Sequence, residues 1–486
     1  PLPAGRHRGR RAHGGRLGPV TWYRFFAGAS NQHTPAPGMP RDTAWGALQL
    51  GFRADSEITS RDKLMVQAAF RGNDERYYRD LRLLSPPWAA RTQSDVSNFD
   101  AFVLARWTRR INAGEITLQA YYDQTKLSDV WRTEGAKTGD IEFQHRKRIA
   151  PRHEINWGAG LRTFSDYMTP KSYWLNPPQF QGQKSSLFVQ DEWALVPEAV
   201  TLTLGTKFEH NYFTGWETEP SARLLWTPTS RQSIWTSVSQ AVRMPSRVDR
   251  GVETRGVTFG GANGLPVLVP LLGDPGFVSE RLRSYEFGYR RQITSRLSLD
   301  SSGFLNRYRN LTGYRQGDPT LAFSDATLYV NLPLYLQNLA SARSYGGELS
   351  ANASITQRWR ASGSYSWLKL LMNDETLVHQ ENGKDQLNFG APNAPQHQGQ
   401  ARTDIDLGHG WSMEAAYYRV GGIALMGVPG YSRLDARFSW RPNSMTEFSL
   451  NGQNLLTPEH IEFRSEGVQQ MFPIRRSAYV KLAFWF

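Results

Sequence analysis

There is no cysteine anywhere in the 486 residues, and this one absence removes disulfides, thiolate nucleophiles and thiolate zinc clusters together. No stretch approaches the roughly 18 consecutive apolar residues of a membrane-crossing helix, so residence in a membrane would have to be as a strand barrel. Hydrophobic residues make up only 39% of the chain, a small share for a packed globular interior. The ten histidines are scattered; none falls in an H-E-x-x-H spacing, and no G-x-S-x-G elbow occurs. The glycine-rich stretch Gly260, Gly261, Gly264 lacks the Lys-Ser/Thr of a phosphate loop and is expected to turn a long loop. Glu459 and His460 are adjacent and read as a solvated loop pair. Catalytic residues, a metal-ligand set and a cofactor motif are therefore not expected, and the chain reads as a non-enzyme. The chain begins on Pro1 and shows no charged and apolar leader; either a removed signal or a missing start is expected.

Aromatic residues are abundant, at 12% with 16 Trp, 20 Tyr and 24 Phe. Few apolar residues with many aromatics suits alternating strands bounded by interfacial girdles. The C-terminal stretch shows the pattern: Ala478, Val480, Leu482, Phe484 and Phe486 share one face of an extended chain, and Tyr479, Lys481, Ala483 and Trp485 the other. The same alternation runs through Glu115–Asp123, Val200–Glu209 and Arg433–Arg441. In each, one face is apolar and the other too charged for a dry core, as the wall of a wide, water-filled barrel requires. About twenty such runs span the chain from Thr21 onward.

The connections sort by length. Counting back from Phe486, every second connection is short, at 442–444, 407–410, 356–358, 293–295, 228–231, 196–198, 149–152, 111–114 and 55–61. Those between are mostly long: 30–42, 72–98, 125–138, 165–183, 211–217, 243–279, 310–332, 371–394, 421–429 and 456–472. The parity holds if Leu332–Ile355 is a single long strand. Short turns on one rim and long loops on the other describe an outer-membrane barrel with its C-terminus at the periplasmic rim.

Several segments then carry a resemblance. Ser186–Leu195, containing Phe-Val-Gln-Asp-Glu, is followed by Pro220–Pro228, by Ser239–Ser246, by Glu280–Arg290 with Ser-Tyr-Glu-Phe-Gly, by Tyr345-Gly-Gly-Glu348 and by Gly452–Phe463 with Asn-Leu-Leu. In type, order and spacing they are similar to the barrel strands of TonB-dependent outer-membrane receptors. The resemblance implies an all-β, transmembrane antiparallel β-barrel, with about 20 strands present of the 22-strand pattern. It also implies energy-coupled uptake of a scarce solute, most often a metal chelate such as a ferric siderophore. Expected partners are outer-membrane lipid and lipopolysaccharide, the barrel-assembly machinery and, for a complete receptor, TonB. Gly14–Gly18 looks like the turn between the family's second and third strands. Residues 1–13 are then a basic segment outside the barrel of 14–486, and the plug, its TonB box and two strands have no counterpart. A passive porin or a non-transporting receptor fragment are the alternatives.

The formal charge is +13. Arg6, Arg8, Arg10, Arg11 and Arg16 contribute early, but with no folded reader behind them they are expected to be disordered rather than to bind nucleic acid. For ligand, the candidates are Arg243, Arg247, Arg250 and Arg255 in or beside the longest loop, with Tyr173, Trp174 and Trp216 near the outer rim. Against this stands the reading that the arginines pair with lipopolysaccharide or acidic loop neighbours and the aromatics form a girdle. Val480, Leu482, Phe484 and Phe486 are expected to act as the assembly signal.

Overall fold

The computed structural model describes residues 6–32, 44–169, 171–261, 264–324, 326–374, 394–424, 426–464 and 471–485. Phe486 and most of the expected loops 30–42 and 371–394 lie outside these. The first part of the chain forms β1 (Arg6–Leu17), β2 (Thr21–Gln32), β3 (Ala44–Glu57), β4 (Asp62–Arg82), β5 (Ala89–Ile111), β6 (Gly114–Ser128), β7 (Thr133–Ala150) and β8 (His153–Thr169). A short β9 (Tyr173–Leu175) precedes β10 (Gln179–Val196), β11 (Val200–Asn211), β12 (Gly215–Thr229) and β13 (Gln232–Arg243). The longest connection holds α1 (Arg247–Gly251), β14 (Val252–Thr254), β15 (Val257–Gly260), β16 (Pro266–Val269) and β17 (Leu271–Leu272). Next come β18 (Glu280–Thr294), β19 (Leu297–Gln316), β20 (Thr320–Ser324), β21 (Thr327–Asn331), β22 (Leu334–Ser354) and β23 (Trp359–Asp374). The chain ends with β24 (His397–Gly408), β25 (Trp411–Val420), β26 (Tyr431–Asn443), β27 (Thr446–Gln453), β28 (Glu459–Arg464), β29 (Met471–Arg475) and β30 (Ser477–Phe484).

Twenty-one of these form one antiparallel wall in which each strand pairs with its neighbours in the chain, from the β1–β2 hairpin to the β27–β30 ladder. The others lie in the connections. All nine expected short turns are present, and β22 is one continuous strand. The sequence reading is revised at the start. Gly14 and Gly15 lie inside β1, and the turn is Gly18–Val20, where Gly18 has φ +64. β1 (Arg6–Leu17) pairs with β2 (Thr21–Gln32) along its whole length, from Arg6 opposite Gln32 to Leu17 opposite Thr21. Arg6–His13, set apart as part of a basic segment, therefore belong to the wall, which among the described residues holds one strand more than about twenty. With an odd number of alternating strands β1 and β30 run the same way, and no ladder joins them among the described residues.

Side chains alternate across the wall as the sequence pattern demands. Leu204, Phe208, Leu224, Val238, Phe287, Leu349, Phe438 and Leu450 all point outward and are exposed. Apolar exposure on this scale is not a soluble surface; it is a face built for lipid. The inward face carries ion pairs: Arg162 with Asp140 at 2.8 Å, Lys184 and Lys207 with Glu209 at 3.0 and 2.9 Å, and Arg433 with Asp435 at 2.7 Å. No described helix is long and apolar enough to cross a membrane; the lipid-facing surface is the outward apolar face of the strands.

The expected loops 72–98 and 125–138 are mostly strand. β5 has 23 residues, about 75 Å of extended chain against an apolar band of roughly 25 Å. Polar cross-strand contacts carry the hairpin on into water, among them Arg76 Nε to Asp95 at 2.8 Å and Trp45 Nε1 to Glu75 at 3.1 Å.

Candidate functional site

The functional candidate is the extracellular mouth, where two small sheets are built from loop segments. In the first, β9 pairs with β14, β14 with β17, and β17 runs parallel to β22. This is a chord: it ties the connection between β8 and β10 to β22 while skipping β11, β12, β13, β18 and β19. Beneath it lies the protein's clearest dry core, made of Met168, Leu175, Val252, Phe277 and Leu336, with Tyr173, Trp174, Leu271 and Tyr314 packed against them. Val252 and Phe277 are each only 1% exposed. Among the described residues the barrel wall has no such core, because its apolar side chains point outward.

Ion pairs fasten the long connection to the wall. At its base Arg243 donates to both oxygens of Glu280 at 2.7 and 2.8 Å, and to Asp249 at 3.1 Å. Asp249 closes a capping box with Ser246 at the start of α1. Arg247 is buried, donates to Asp166 at 3.2 Å and to the Pro177 carbonyl, and stacks 4.9 Å above the Phe180 ring. Arg250 donates to the Phe277 carbonyl at 2.8 Å and lies 5.0 Å from the Phe213 ring. Three of the four candidate arginines thus find their partners inside the protein. Arg255 differs: its side chain is exposed, and among the described residues only its backbone N–H is engaged, with the Ser172 carbonyl.

The rim aromatics divide likewise. Tyr173 and Trp174 serve the mouth core, and Arg132 sits 5.1 Å over Tyr173. Burial pushes the Tyr173 phenol above its ordinary pKa, and burial with the Asp166 carboxylate does the same to Tyr212. Tyr212 and Phe213 pack on Phe180, with ring centroids 5.0 and 5.2 Å away. Trp216 instead points outward from the wall, 71% exposed and edge-on to His210. Among the assembly candidates, Val480 and Leu482 pair with Leu450 and Phe448 on the outward face. Phe484 follows in the same register opposite Thr446.

The second sheet was not anticipated. β15 and β16 form a hairpin, β16 runs parallel to β21, and β21 pairs with β20. Its register puts Val257, Phe259, Val267, Val269, Leu321, Phe323, Leu328 and Val330 on one face. Leu321 and Phe323 are 67% and 71% exposed. The opposite face is covered: Thr258 is buried, and Trp88, at the tip of the β4–β5 hairpin, lies against Gly260. Gly256, which starts this sheet, has φ +50, and a Cβ there would sit 1.6 Å from the Val269 carbonyl oxygen; only glycine fits. Gly261 and Gly264 close the β15–β16 turn through a backbone hydrogen bond of 3.1 Å. The available signal was the alternation Val257-Thr258-Phe259 and Leu321-Ala322-Phe323, too short to be told from ordinary loop sequence.

A cavity of about 660 Å³ lies on the inner wall, lined among others by Arg296, Arg360, Arg402, Asp404, Glu414 and Arg437. His460, expected in solvent beside Glu459, is instead buried. It stacks 4.2 Å from Tyr431 and bonds Glu462 at 2.7 Å, while Glu459 faces Arg475. No group of three or more potential metal ligands occurs among the described residues.

The comparisons with known proteins agree with this architecture. The family description "TonB dependent receptor-like, beta-barrel" matches residues 4–455. An iron-regulated outer membrane virulence protein of Vibrio cholerae is 23% identical over 180 residues, 37% of this chain. The matched stretch spans only 26% of that relative's length. Among solved structures, the siderophore receptor PirA of Acinetobacter baumannii superposes with a TM-score of 0.75 at 13% identity, covering 99% of this chain and 78% of that one. A variant of the ferric enterobactin receptor PfeA of Pseudomonas aeruginosa gives 0.76 at 14% identity, over 99% and 78%. At such identities the structural likeness speaks for the fold. With the family match over most of its length, an outward apolar wall and a roofed mouth, the chain belongs to the TonB-dependent receptor β-barrels of the bacterial outer membrane.

Proposed function

We propose that this barrel belongs to an energy-coupled receptor that takes up a metal chelate of the ferric siderophore class, with TonB as the energy-transducing partner of the whole protein. The observation that carries the reading is the mouth. A passive channel gains nothing from a dry core and two sheets laid across its entrance, whereas a receptor needs a fixed surface that meets the ligand before the lumen does. The apolar face of Phe259, Leu321, Phe323 and Leu328, with the exposed guanidinium of Arg255 close to Phe259 in the chain, suits an anionic chelate with apolar or aromatic arms. The solved relatives that bind siderophores, and the iron-regulated relative, support the same class.

The test is growth under iron limitation of a strain lacking the gene, complemented with the natural gene and supplied in turn with ferric catecholates, ferric hydroxamates, cobalamin and glycans. Rescue by one ferric chelate, abolished when TonB is removed, is the expected outcome. Rescue by a glycan alone would overturn the cargo. Uptake indifferent to TonB, with steady ohmic conductance in a planar bilayer, would replace the receptor by a porin.

A further inference from the structure

The loop arginines are not the most unusual cations on this barrel. In the wall, Arg283 of β18 stands directly opposite Arg307 of β19, and Arg307 directly opposite Arg343 of β22. Arg281 is likewise opposite Arg309, and Lys369 of β23 lies one step away, opposite Tyr345. All six are exposed. Their face is outward, because the same register continues down these strands through Tyr285, Phe287, Leu349 and Tyr365, which are exposed as well. The cations therefore sit on the outside of the barrel, on the extracellular side of its apolar band.

Directly opposed residues hold their Cβ atoms about 5 Å apart, and like charges so placed repel. Arg281 has Glu217 at 3.2 Å, and Arg283 reaches only the Gln240 side chain at 3.4 Å. For Arg307, Arg309, Arg343 and Lys369 no acidic partner is found among the described residues. Nor does the surrounding outward face supply one: the neighbouring outward positions on β13, β18, β19, β22 and β23 are Val238, Gln240, Val242, Leu305, Ser341, Leu371 and Asn373. In the lumen, by contrast, arginines such as Arg162 and Arg433 have carboxylates beside them. A row of arginines on three adjacent strands, without counter-charge and just above a lipid-facing surface, needs anions from outside the protein.

We infer that Arg283, Arg307 and Arg343, flanked by Arg309 and Lys369, form a binding site for the phosphate groups of an anionic outer-leaflet lipid. Three adjacent strands cover about 10 Å, enough for the planar guanidinium groups to receive two phosphates of one headgroup in paired hydrogen bonds. The aromatic band beneath holds the same lipid's acyl chains against the wall.

The test uses the full chain, folded and purified in detergent, with native mass spectrometry reading retained lipid. The probes are lipid A carrying both phosphates, the same lipid with its phosphates removed, and inorganic phosphate. The wild type should retain the phosphorylated lipid, and the triple variant R283Q/R307Q/R343Q should lose at least about tenfold in affinity. The charge-preserving R283K/R307K/R343K, which keeps the charge but not the paired hydrogen bonds, should bind more tightly than the glutamine variant and less tightly than the wild type, which separates charge from any folding defect. The control K126Q/K137Q, on a distant part of the outward wall, should change nothing. Equal retention by the glutamine variant, equal retention of dephosphorylated lipid, or displacement by inorganic phosphate at matched concentration would each overturn the assignment.

Discussion

Arg247 and Arg343 both lie at the extracellular end of this barrel, and they teach opposite lessons. Arg247 sits in the longest loop, where sequence alone makes it a ligand candidate, yet it is buried against Asp166, a carbonyl and an aromatic ring. Arg343 lies within a strand that reads as plain wall, yet it is exposed, faces outward and stands beside another arginine. The protein supplies the counter-charge in one region and withholds it in the other. A cation whose partner is built in holds structure together; one whose partner is missing is available to bind.

The largest effect is expected at Arg247. Removing one member of a buried ion pair costs about 3–5 kcal/mol, chiefly because the other charge is left stranded. Arg247→Ala should therefore release the connection 244–279 to proteolysis and hydrogen exchange while the wall stays protected. The double change Arg247→Met with Asp166→Leu should restore most of that protection, since no charge is then left unpaired. Unchanged protection in Arg247→Ala would show that the loop is fastened elsewhere.

Val252 tests the core beneath the roof. Truncation to Ala at this 1% exposed position removes two methyl groups from a dry cluster and should cost about 2 kcal/mol. Hydrogen exchange should rise in the roof and not in the strands. A uniform rise would mean that roof and wall unfold as one unit.

On the wall, neighbouring positions of β30 should respond in opposite ways. Leu482→Arg places a charge on the lipid face between midplane and rim, where the cost is about 1–2 kcal/mol. Lys481→Arg, on the lumen face, should cost nothing measurable. The yield of heat-modifiable folded barrel reads both, and deletion of Phe486 should lower it as Leu482→Arg does. Equal yields from Leu482→Arg and Lys481→Arg would contradict the face assignment.

The apolar sheet face should matter to ligand and not to stability. Leu321→Ser with Phe323→Ser removes side chains that touch little protein, so the melting temperature should hold. Chelate affinity, measured by tryptophan fluorescence quenching, should fall roughly tenfold for the lost contact area. A large loss of stability instead would show that the face is covered by protein.

What was legible in the sequence follows from these contrasts. The wall could be read because its rule is local: period-2 alternation and the parity of short and long connections need no knowledge of distant residues. Gly14 and Gly15 misled because glycine marks turns statistically, while only Gly18 takes the left-handed conformation that the turn requires. The mouth was hidden for the opposite reason. Whether Arg250 meets a ligand or the Phe277 carbonyl depends on residues 27 positions apart. The second sheet joins 257–269 to 320–331, across two wall strands. Pairings between connections leave almost no periodic trace, and the arginine row becomes visible only once the register of β18, β19 and β22 is known.

The smallest effect is expected at Trp216. By composition and position it resembles a ligand platform as much as Tyr173 does, since both are aromatic and both lie near the outer rim. The register separates them: Trp216 is opposite His210 and continues the outward row of Phe208 and Leu204. A tryptophan there meets the membrane–water interface, with only the edge-on His210 ring, 5.1 Å away, to pack against. Trp216→Leu loses that ring contact and the indole's interfacial anchoring but keeps an apolar surface toward lipid. The expected cost is about 0.5–1 kcal/mol of barrel stability, with ligand affinity unchanged. Tyr173→Leu, at a similar height but beneath the roof, should leave the wall untouched and raise exchange in β9 and β14. If Trp216→Leu instead weakened chelate binding tenfold at constant stability, the outward face of β12 would have to be part of the ligand's path, and the division between roof and wall would fail at that strand.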